Sequence, residues 1–391
     1  MRRVFLLAVA VAVWVAPVRA QESVFNLPLP GLPGSGESVR SRGMGGAPVG
    51  LMAESFSMGN PAWIAGFERA GLYLSLLGQR TTAEDSQTSG DFDDVMFPMG
   101  QAVIPAFGAV IGIGYYQHLD FDASIESSVL FEGDTVPVGF ASDGGVGVIV
   151  PALAYPLNEQ TSAGVSLDFY LGSREVVRSI SIPGELATRD TLARDFGGAG
   201  LTLGITRELW EGTRLGLAYR FRPDLDSEVT RAGDPDLLGR KSEIRLPDEL
   251  IVEASVGLSE RLRLGAGLRY AGWEGAFQED LAAEETELGD AWEVGGGIEF
   301  APESPVALVI GPEAPLRVGY RWSRLPIRID GEPVSEWALA LGYSRGFSDL
   351  SRVDVAVEYG RRGDLETNVV SERFVRVGVG LGVFEIWRRI D

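Results

Sequence analysis

The sequence predicts an all-β fold: a transmembrane antiparallel β-barrel of about 14 strands. Three observations predict it. The chain begins with an export signal, an alternation of apolar and polar residues with a period of two begins near residue 68, and short and long connections alternate between the resulting strands.

Residues 1–20 have the features of a secretory signal peptide. Arg2 and Arg3 give a positive start, residues 4–15 are apolar, and small residues precede a cut after Ala20. The apolar run is shorter than the ~20 residues that a spanning helix needs, which disfavours the alternative of a single membrane anchor. We therefore expect a mature chain that starts at Gln21 and resides in the outer membrane of a Gram-negative type of cell.

The composition excludes several kinds of function. The chain has no cysteine, which excludes disulfides and thiolate chemistry. Loss of the signal peptide removes three arginines and takes the net charge from −21 to −24, which argues against nucleic-acid binding. The 51 glycines lack the collagen triplet and recur within candidate strands, which indicates a crowded or curved sheet.

Residues 21–67 differ from the rest of the chain and are expected to form a linker followed by a compact segment. Residues 26–36 are a Pro/Gly linker, and residues 38–67 are small, glycine-rich and weakly periodic. This composition predicts a compact non-strand segment with short helical turns.

Residues 68–391 are expected to form the barrel. In the third candidate strand Ile111, Ile113 and Phe121 fall on one face, and His118 and Asp120 fall on the other. Most candidates have the ~9–13 residues that a tilted strand needs to cross a bilayer. The fourteen expected strands span residues 69–80, 95–105, 107–121, 145–156, 161–174, 197–208, 212–223, 248–259, 261–273, 291–301, 314–324, 335–346, 350–361 and 372–384.

The connections between these strands alternate in length. Short ones follow Pro105, Glu208, Leu258 and Gly346. Such alternation is typical of membrane barrels, with short periplasmic turns and long outer loops. The expected outer loops span residues 81–94, 122–144, 175–196, 224–247, 274–290 and 362–371.

Charged residues of both signs recur on the polar faces of the strands. On a lumen wall they would brace the barrel, whereas on a soluble sandwich they would form a solvated face. Apolar faces with aromatic residues near the strand ends favour the membrane barrel. The expected lumen charges are Arg263, Arg269, Arg317, Arg321, Glu293 and Glu299.

Three segments resemble the FadL/TodX family of outer-membrane transport proteins. They are residues 43–62, with Gly43-Met44-Gly45-Gly46-Ala47 and Asn60-Pro61-Ala62, then residues 246–273, and residues 316–327. The resemblance implies that residues 21–67 are the linker and an N-terminal plug, or hatch, inside the lumen of a fourteen-stranded barrel. It implies that the barrel carries hydrophobic small molecules, typically long-chain fatty acids or aromatic hydrocarbons. It also implies that the ligand binds near the hatch and leaves sideways through the wall, with outer-membrane lipid as a neighbour.

The C-terminus departs from the family, because it ends in residues 384–391 rather than in a terminal Phe. That ending, with the Gly-Met-Gly-Gly segment, also resembles the PorV branch of the superfamily. Members of that branch act as an acceptor or shuttle in type IX protein secretion. A secretion scaffold with secretion components as partners is therefore the first alternative to uptake of a hydrophobic small molecule.

The hatch supplies the candidate ligand contacts. Glycines allow close approach of backbone, methionines adapt to apolar shapes, and Asn60 before Pro61 could bond the wall with its amide. Each residue could equally be plug core, and Arg40 and Arg42 are expected to pair with lumen acids in preference to a ligand carboxylate. The candidates are Arg42, Gly43, Met44, Gly45, Gly46, Met52, Phe56, Met58, Asn60, Pro61, Ala62 and Trp63.

Catalysis, cofactors and metals have little support. His118 is the single histidine and lies beside Asp120, so an outer-membrane hydrolase is the second alternative, with a non-catalytic lumen histidine favoured. Zinc ligation by His and Cys is excluded. Asp91, Asp93 and Asp94 could bind Ca²⁺ in an outer loop, although a solvated acidic loop is the favoured interpretation. The glycine repeats lie within strands and are not phosphate loops, so no cofactor is expected.

Overall fold

The computed structural model describes residues 23–27, 30–47, 56–131, 134–181, 188–274, 276, 287–301, 314–348 and 350–385. The expected signal peptide and Met52 lie outside the described residues.

The described chain forms nineteen strand segments, one short α-helix and three 3-10 helices. The helices are α1 (Val39–Arg42) and the 3-10 helices Val24–Asn26, Pro61–Gly66 and Pro235–Leu237. The strands are β1 (Leu32–Pro33), β2 (Ala70–Glu84), β3 (Ser89–Met96), β4 (Met99–Ala106), β5 (Ala109–Asp120), β6 (Ala123–Phe131), β7 (Asp134–Pro156), β8 (Thr161–Ile180), β9 (Thr188–Trp210), β10 (Thr213–Phe221), β11 (Asp224–Ala232), β12 (Lys241–Arg245), β13 (Glu249–Ser259), β14 (Leu262–Ala271), β15 (Ala291–Phe300), β16 (Leu316–Ile329), β17 (Glu332–Ser348), β18 (Ser351–Gly363) and β19 (Ser371–Glu385).

Segments β2–β19 close into a barrel of fourteen antiparallel wall strands. Four wall strands consist of two segments each, namely β3/β4, β5/β6, β10/β11 and β12/β13. The barrel closes where β19 pairs with β2, from Ser371 opposite Glu84 to Glu385 opposite Ala70. The predicted all-β barrel with an internal N-terminal hatch is confirmed.

Several stretches expected as loops are strands instead, so that part of the prediction is wrong. The described parts of residues 81–94, 122–144, 175–196 and 224–247 extend the wall, as the end of β2 and as β3, β6, β7, β8, β9, β11 and β12. Polar side chains on both faces of these extensions hide the period of two, and cross-strand hydrogen bonds decide their conformation. We call this end of the barrel the hairpin end. The opposite end has the turns at 107–108, 157–160, 211–212 and 260–261, and we call it the short-turn end.

The two faces of the wall differ in chemistry. Along β2 the exposed residues Leu72, Leu74 and Leu76 alternate with the buried residues Tyr73 and Leu77. On β5, Ile111 and Ile113 face outward as expected, but an irregularity between Gln117 and Leu119 turns the end of that face inward. None of the described helices is long and apolar enough to cross a membrane.

Candidate functional site

The glycine-rich part of the hatch lies directly on the barrel wall. Gly45 has a φ of +70°, and a Cβ there would lie 2.3 Å from the carbonyl oxygen of Tyr320 on β16. A Cβ on wall residue Gly295 would lie 1.8 Å from the carbonyl oxygen of Gly45, and one on Gly319 would lie 2.2 Å from its nitrogen. Hatch and wall therefore meet backbone to backbone, and glycine is required on both sides.

A second glycine contact holds the Asn60-Pro61-Ala62 motif. A Cβ on Gly204 of β9 would lie 2.1 Å from Oδ1 of Asn60, and one on Gly164 of β8 would lie 2.5 Å from the nitrogen of Ala62. Asn60 caps the 3-10 helix Pro61–Gly66, because its Oδ1 accepts a hydrogen bond from Ala62 at 3.0 Å. The motif thus fits a glycine-lined recess in the wall.

Polar side chains add directed bonds at this second contact. The side-chain nitrogen of Asn60 donates to the carbonyl oxygen of Ile205 at 3.5 Å and to Glu253 at 3.4 Å. The indole nitrogen of Trp63 also donates to Glu253. The anticipated bond from the Asn60 amide to the wall is present, and Glu253 of β13 is its charged acceptor.

Ion pairs fix the first contact. Arg40 makes a bidentate bond to Glu299, from Nη2 to Oε1 at 3.0 Å and from Nε to Oε2 at 3.2 Å, and Arg317 donates to the same carboxylate at 2.6 Å. Arg42 pairs with Glu358 at 3.3 Å. Arg40 and Arg42 therefore pair with acids of the lumen wall, as expected.

The apolar hatch candidates are packed as core. Phe56 stacks on Tyr73 of the wall at 5.1 Å between ring centroids and also meets Phe67 at 4.8 Å. Met44 and Met58 are buried. These three hatch residues therefore anchor the plug to the wall.

The wall has a lateral gap between β3 and the β5/β6 strand. Of the described strands, β3 pairs with β2 alone, and β6 pairs with β7 alone. The last backbone bond across this seam runs from Gln117 to the carbonyl oxygen of Pro98, at 3.3 Å. Phe97 and Pro98 separate β3 from β4, and proline lacks the N–H that would continue the ladder.

Residues 30–36, which we call the strap, lie along the free edge of β5 at this gap. Leu32 and Pro33 pair with Asp120 and Leu119, and Gly34 donates to the carbonyl oxygen of His118 at 2.7 Å. A Cβ on Gly34 would lie 2.1 Å from the carbonyl oxygen of Gln117. The strap takes the place on β5 that β3 leaves open.

A cavity lies between the strap, the hatch and the wall. Its volume is about 150 Å³, and its lining includes Met96, Pro98 and Gln117 at the gap. Leu77 and Trp273 contribute apolar surface. The cavity therefore reaches from the lumen to the gap.

The charges around this cavity are compensated within the protein. Arg321 pairs with Glu336 at 3.2 Å, and Arg362 pairs with the same acid at 2.6 Å. Arg269 donates to the carbonyl oxygen of Ser35 in the strap, at 3.2 Å. Six lining arginines stand against seven carboxylates that line the cavity or pair with those arginines: Arg42, Arg269, Arg321, Arg324, Arg362 and Arg376, against Asp120, Glu249, Glu293, Glu336, Glu37, Glu358 and Glu372.

Glu37 of the hatch is the exception to this compensation. Burial, followed by the nearby carboxylate of Glu293, raises its pKa from 4.5 to about 7, although Arg321, Arg269 and Arg42 act in the opposite direction. The Arg321 contact, at 3.7 Å, is too long to offset the loss of hydration.

The hydrolase alternative gains nothing from the position of His118. The imidazole is buried between Tyr116 and Tyr170, and its Nδ1 has no hydrogen-bond partner among the described residues. Asp120, the anticipated partner, accepts from Asn26 and from Gln117 instead. His118 therefore lacks both an orienting acid and a bonded nucleophile within the described part of the barrel.

The three aspartates considered for Ca²⁺ do not converge. Asp91 and Asp93 are exposed on β3 and lie 3.1 and 3.9 Å from Arg80, whereas Asp94 is buried on the opposite face. No group of three possible metal-ligating side chains occurs among the described residues.

Sequence reasoning missed two classes of residue that build this site. The wall glycines that receive the hatch, such as Gly204 and Gly319, look like ordinary strand glycines until the hatch is placed beside them. Glu253 accepts from Trp63 and Glu336 accepts from Arg362. No local sequence pattern indicates these two bonds, because donor and acceptor lie far apart in the sequence. The alternation of glycine with apolar residues was the available signal.

Solved structures with the same architecture identify the fold. A Pseudomonas aeruginosa FadL homologue aligns with a TM-score of 0.62 at 13% identity, over 90% of this chain and 99% of that one. The Ralstonia pickettii toluene transporter TbuX aligns with a TM-score of 0.61 at 16% identity, over 90% of this chain and 98% of that one. The chain has the FadL-type barrel fold.

The P. putida toluene transporter TodX also aligns, with a TM-score of 0.59 at 15% identity, over 90% of this chain and 100% of that one. A family model described as BamG matches residues 224–389, which include β11–β19 and thus the wall that receives Gly45. No curated protein matches the chain.

Proposed function

We propose that this protein is an outer-membrane channel that admits small, uncharged hydrophobic molecules. Its apolar outer face suits lipid, and its hatch blocks straight passage of water and ions. Proteins of similar structure include two toluene transporters and a monoaromatic hydrocarbon channel. These support an uptake role for the FadL-type fold in this chain.

The main support for this proposal is that one cavity is lined both by the hatch and by residues at the lateral gap. A hydrophobic molecule that enters at the hairpin end can rest against Leu77 and Trp273, and then leave between Met96 and Gln117. Movement into lipid at that point avoids the hatch, whose removal would require several buried ion pairs to break.

The size and charge of the cavity favour a small neutral ligand over a long-chain acid. A space of about 150 Å³ matches the known apolar cavities that bind benzene, and is below the ~300 Å³ typical of larger ligands. The lining arginines already have carboxylate partners in comparable number, so a ligand carboxylate would have to displace one of them.

The test is a matched pair of tryptophan substitutions on β2. Leu77→Trp fills the cavity, whereas Leu76→Trp adds the same side chain to the outer face, where Leu76 is 49% exposed. We expect uptake of labelled toluene by cells that depend on this protein to fall at least about tenfold in the first variant and to stay at the wild-type rate in the second. Equal uptake in both variants, at matched protein levels, would contradict passage through this cavity.

A competing substrate defines the ligand class. Toluene should enter faster than oleate in the same cells, because oleate brings a carboxylate and a chain too long for the cavity. Faster entry of oleate would overturn the neutral-ligand part of the proposal while leaving the route intact.

A scaffold for protein secretion is the second candidate. It is favoured by the edges of β3 and β6 that have no strand partner in the described part of the chain. Free strand edges can pair with an added strand of a partner protein. In that case Leu77→Trp would leave secretion unchanged, and secretion components would co-purify with the intact barrel.

A further inference from the structure

The short-turn end of the lumen carries an unbalanced cluster of arginines. Arg263, Glu299 and Arg317 lie in direct register on β14, β15 and β16, and all three face the lumen. Arg40 of the hatch reaches the same level and shares Glu299 with Arg317. One carboxylate therefore serves two guanidinium groups, with Arg263 beside it.

A fourth arginine borders this cluster from β18. Arg352 lies 3.3 Å from Asp354, and Asp354 also accepts from Ser344, which itself accepts from Arg317 at 2.8 Å. The described part of the cluster thus contains four guanidinium groups and two carboxylates, an excess of two positive charges. The cavity near the gap shows no such excess.

Several donors of the cluster have no acceptor among the described residues. They include Nη1 of Arg40 and Nη2 of Arg317, on side chains that are at least nine-tenths buried, and Nε of Arg263. Buried guanidinium N–H groups without acceptors are costly, and charge-assisted bonds to an oxyanion are among the strongest they can form. The side chain of Arg352 is 16% exposed, so solvent reaches this side of the cluster.

We infer that Arg40, Arg263, Arg317 and Arg352 form a binding site for one phosphate group. The guanidinium groups supply the positive charge and the N–H donors, and Glu299 holds Arg40 and Arg317 in position. The phosphate is either free inorganic phosphate or the headgroup of a phospholipid. This site is separate from the proposed uptake route and does not depend on it.

The test is calorimetric titration of the full mature protein, in detergent, with sodium phosphate. Sodium chloride at the same ionic strength is the reference. We expect one saturable site in the wild type and affinity about tenfold weaker in Arg263→Gln, because one charged contact is lost. Arg352→Gln is a second variant with the same expectation.

Arg214→Gln is the matched control. Arg214 lies near the same end on β10, but its side chain is 48% exposed and pairs with Glu208 at 3.5 Å. Phosphate affinity should be unchanged in this variant. No saturable binding to the wild type, or equal weakening in Arg214→Gln and Arg263→Gln, would overturn the proposal.

Competition distinguishes the two sources of phosphate. If dihexanoyl-phosphatidylglycerol displaces inorganic phosphate at lower concentration than phosphate itself requires, the site binds a lipid headgroup. If it does not displace phosphate, the site binds the free ion. Either result supports the site, and thermal melting of each variant checks that the barrel is folded.

Discussion

At the residue scale, glycine decides where the hatch can lie. Gly45 on the hatch and Gly295 and Gly319 on the wall allow contacts that a single methyl group would prevent. Such contacts bury backbone without side-chain entropy, but they tolerate no increase in volume. Stability of the hatch should therefore respond to alanine at these positions.

Gly45→Ala is expected to loosen the hatch. The added Cβ would lie 2.3 Å from a wall carbonyl and the residue would keep a φ of +70°, which together should cost on the order of 1–3 kcal/mol. The measurement is the rate of proteolysis within the hatch of the folded barrel. Gly66→Ala is the control, since nothing lies within 4 Å of its Cβ position, and faster cleavage in both variants would refute a specific contact.

Glu37→Gln should stabilise the protein at neutral pH. The pKa of Glu37 is raised to about 7, so the folded state binds this proton more tightly than the unfolded state does. The destabilisation caused by the ionised Glu37 carboxylate is absent below about pH 4.5 and fully present above about pH 7. The melting temperature of the variant in detergent should exceed that of the wild type at pH 8 and converge with it at pH 4. The opposite trend would show that Arg321 compensates Glu37 fully.

At the element scale, the strap and the interrupted strands define the gap. Proline at position 98 ends the ladder between β4 and β5, and β1 then pairs with the exposed edge of β5. The strap is held mainly by backbone contacts, whereas the hatch behind it is held by buried ion pairs. The strap is thus the part of the plug that can move with fewer bonds broken.

Gly34→Ala is expected to displace the strap and widen the gap. The added Cβ would lie 2.1 Å from the carbonyl oxygen of Gln117, so the pairing with β5 must shift. Toluene uptake should rise by a factor of about two or more, or lose its saturation at high concentration. Gly197→Ala on β9, where nothing lies within 4 Å, should behave as wild type. Unchanged uptake in Gly34→Ala would mean that the strap does not limit passage.

At the scale of the whole molecule, the hatch is anchored on two separate arcs of the wall. One anchor is on β15–β18, through Gly45 and Arg42, and the other is on β8–β13, through Asn60. Loss of one anchor leaves the other in place.

Planar-bilayer recordings should therefore show no steady open pore for the wild type. Asn60→Ala removes the cap and the bond to Glu253, each of which contributes about 1 kcal/mol, and should produce brief openings. Combining it with Gly45→Ala should lengthen the openings more than either change alone. A stable open channel in the wild type would contradict a sealing hatch.

The sequence by itself determined the barrel and its strand number, because a period of two and repeated turn signals are local properties. The internal hatch followed from the family resemblance of residues 43–62. The sequence also indicated that Arg40 and Arg42 meet acids, since a buried charge requires a partner. The lengths of the strands were less well predicted. The extensions in β6–β9 are stabilised by pairing with neighbouring strands rather than by the strand propensity of their own residues.

Tertiary structure alone decided which residues meet. The recess for Asn60 combines glycines from β8 and β9 with Glu253. The lateral gap arises because pairing along β5 stops at Pro98, while β3, which precedes Pro98, pairs with β2 alone among the described strands. The surplus of arginines at the short-turn end depends on the register of β14, β15 and β16 with the hatch placed beside them. Such sites depend on distances between remote segments, which the closure of the sheet sets and the local sequence does not encode.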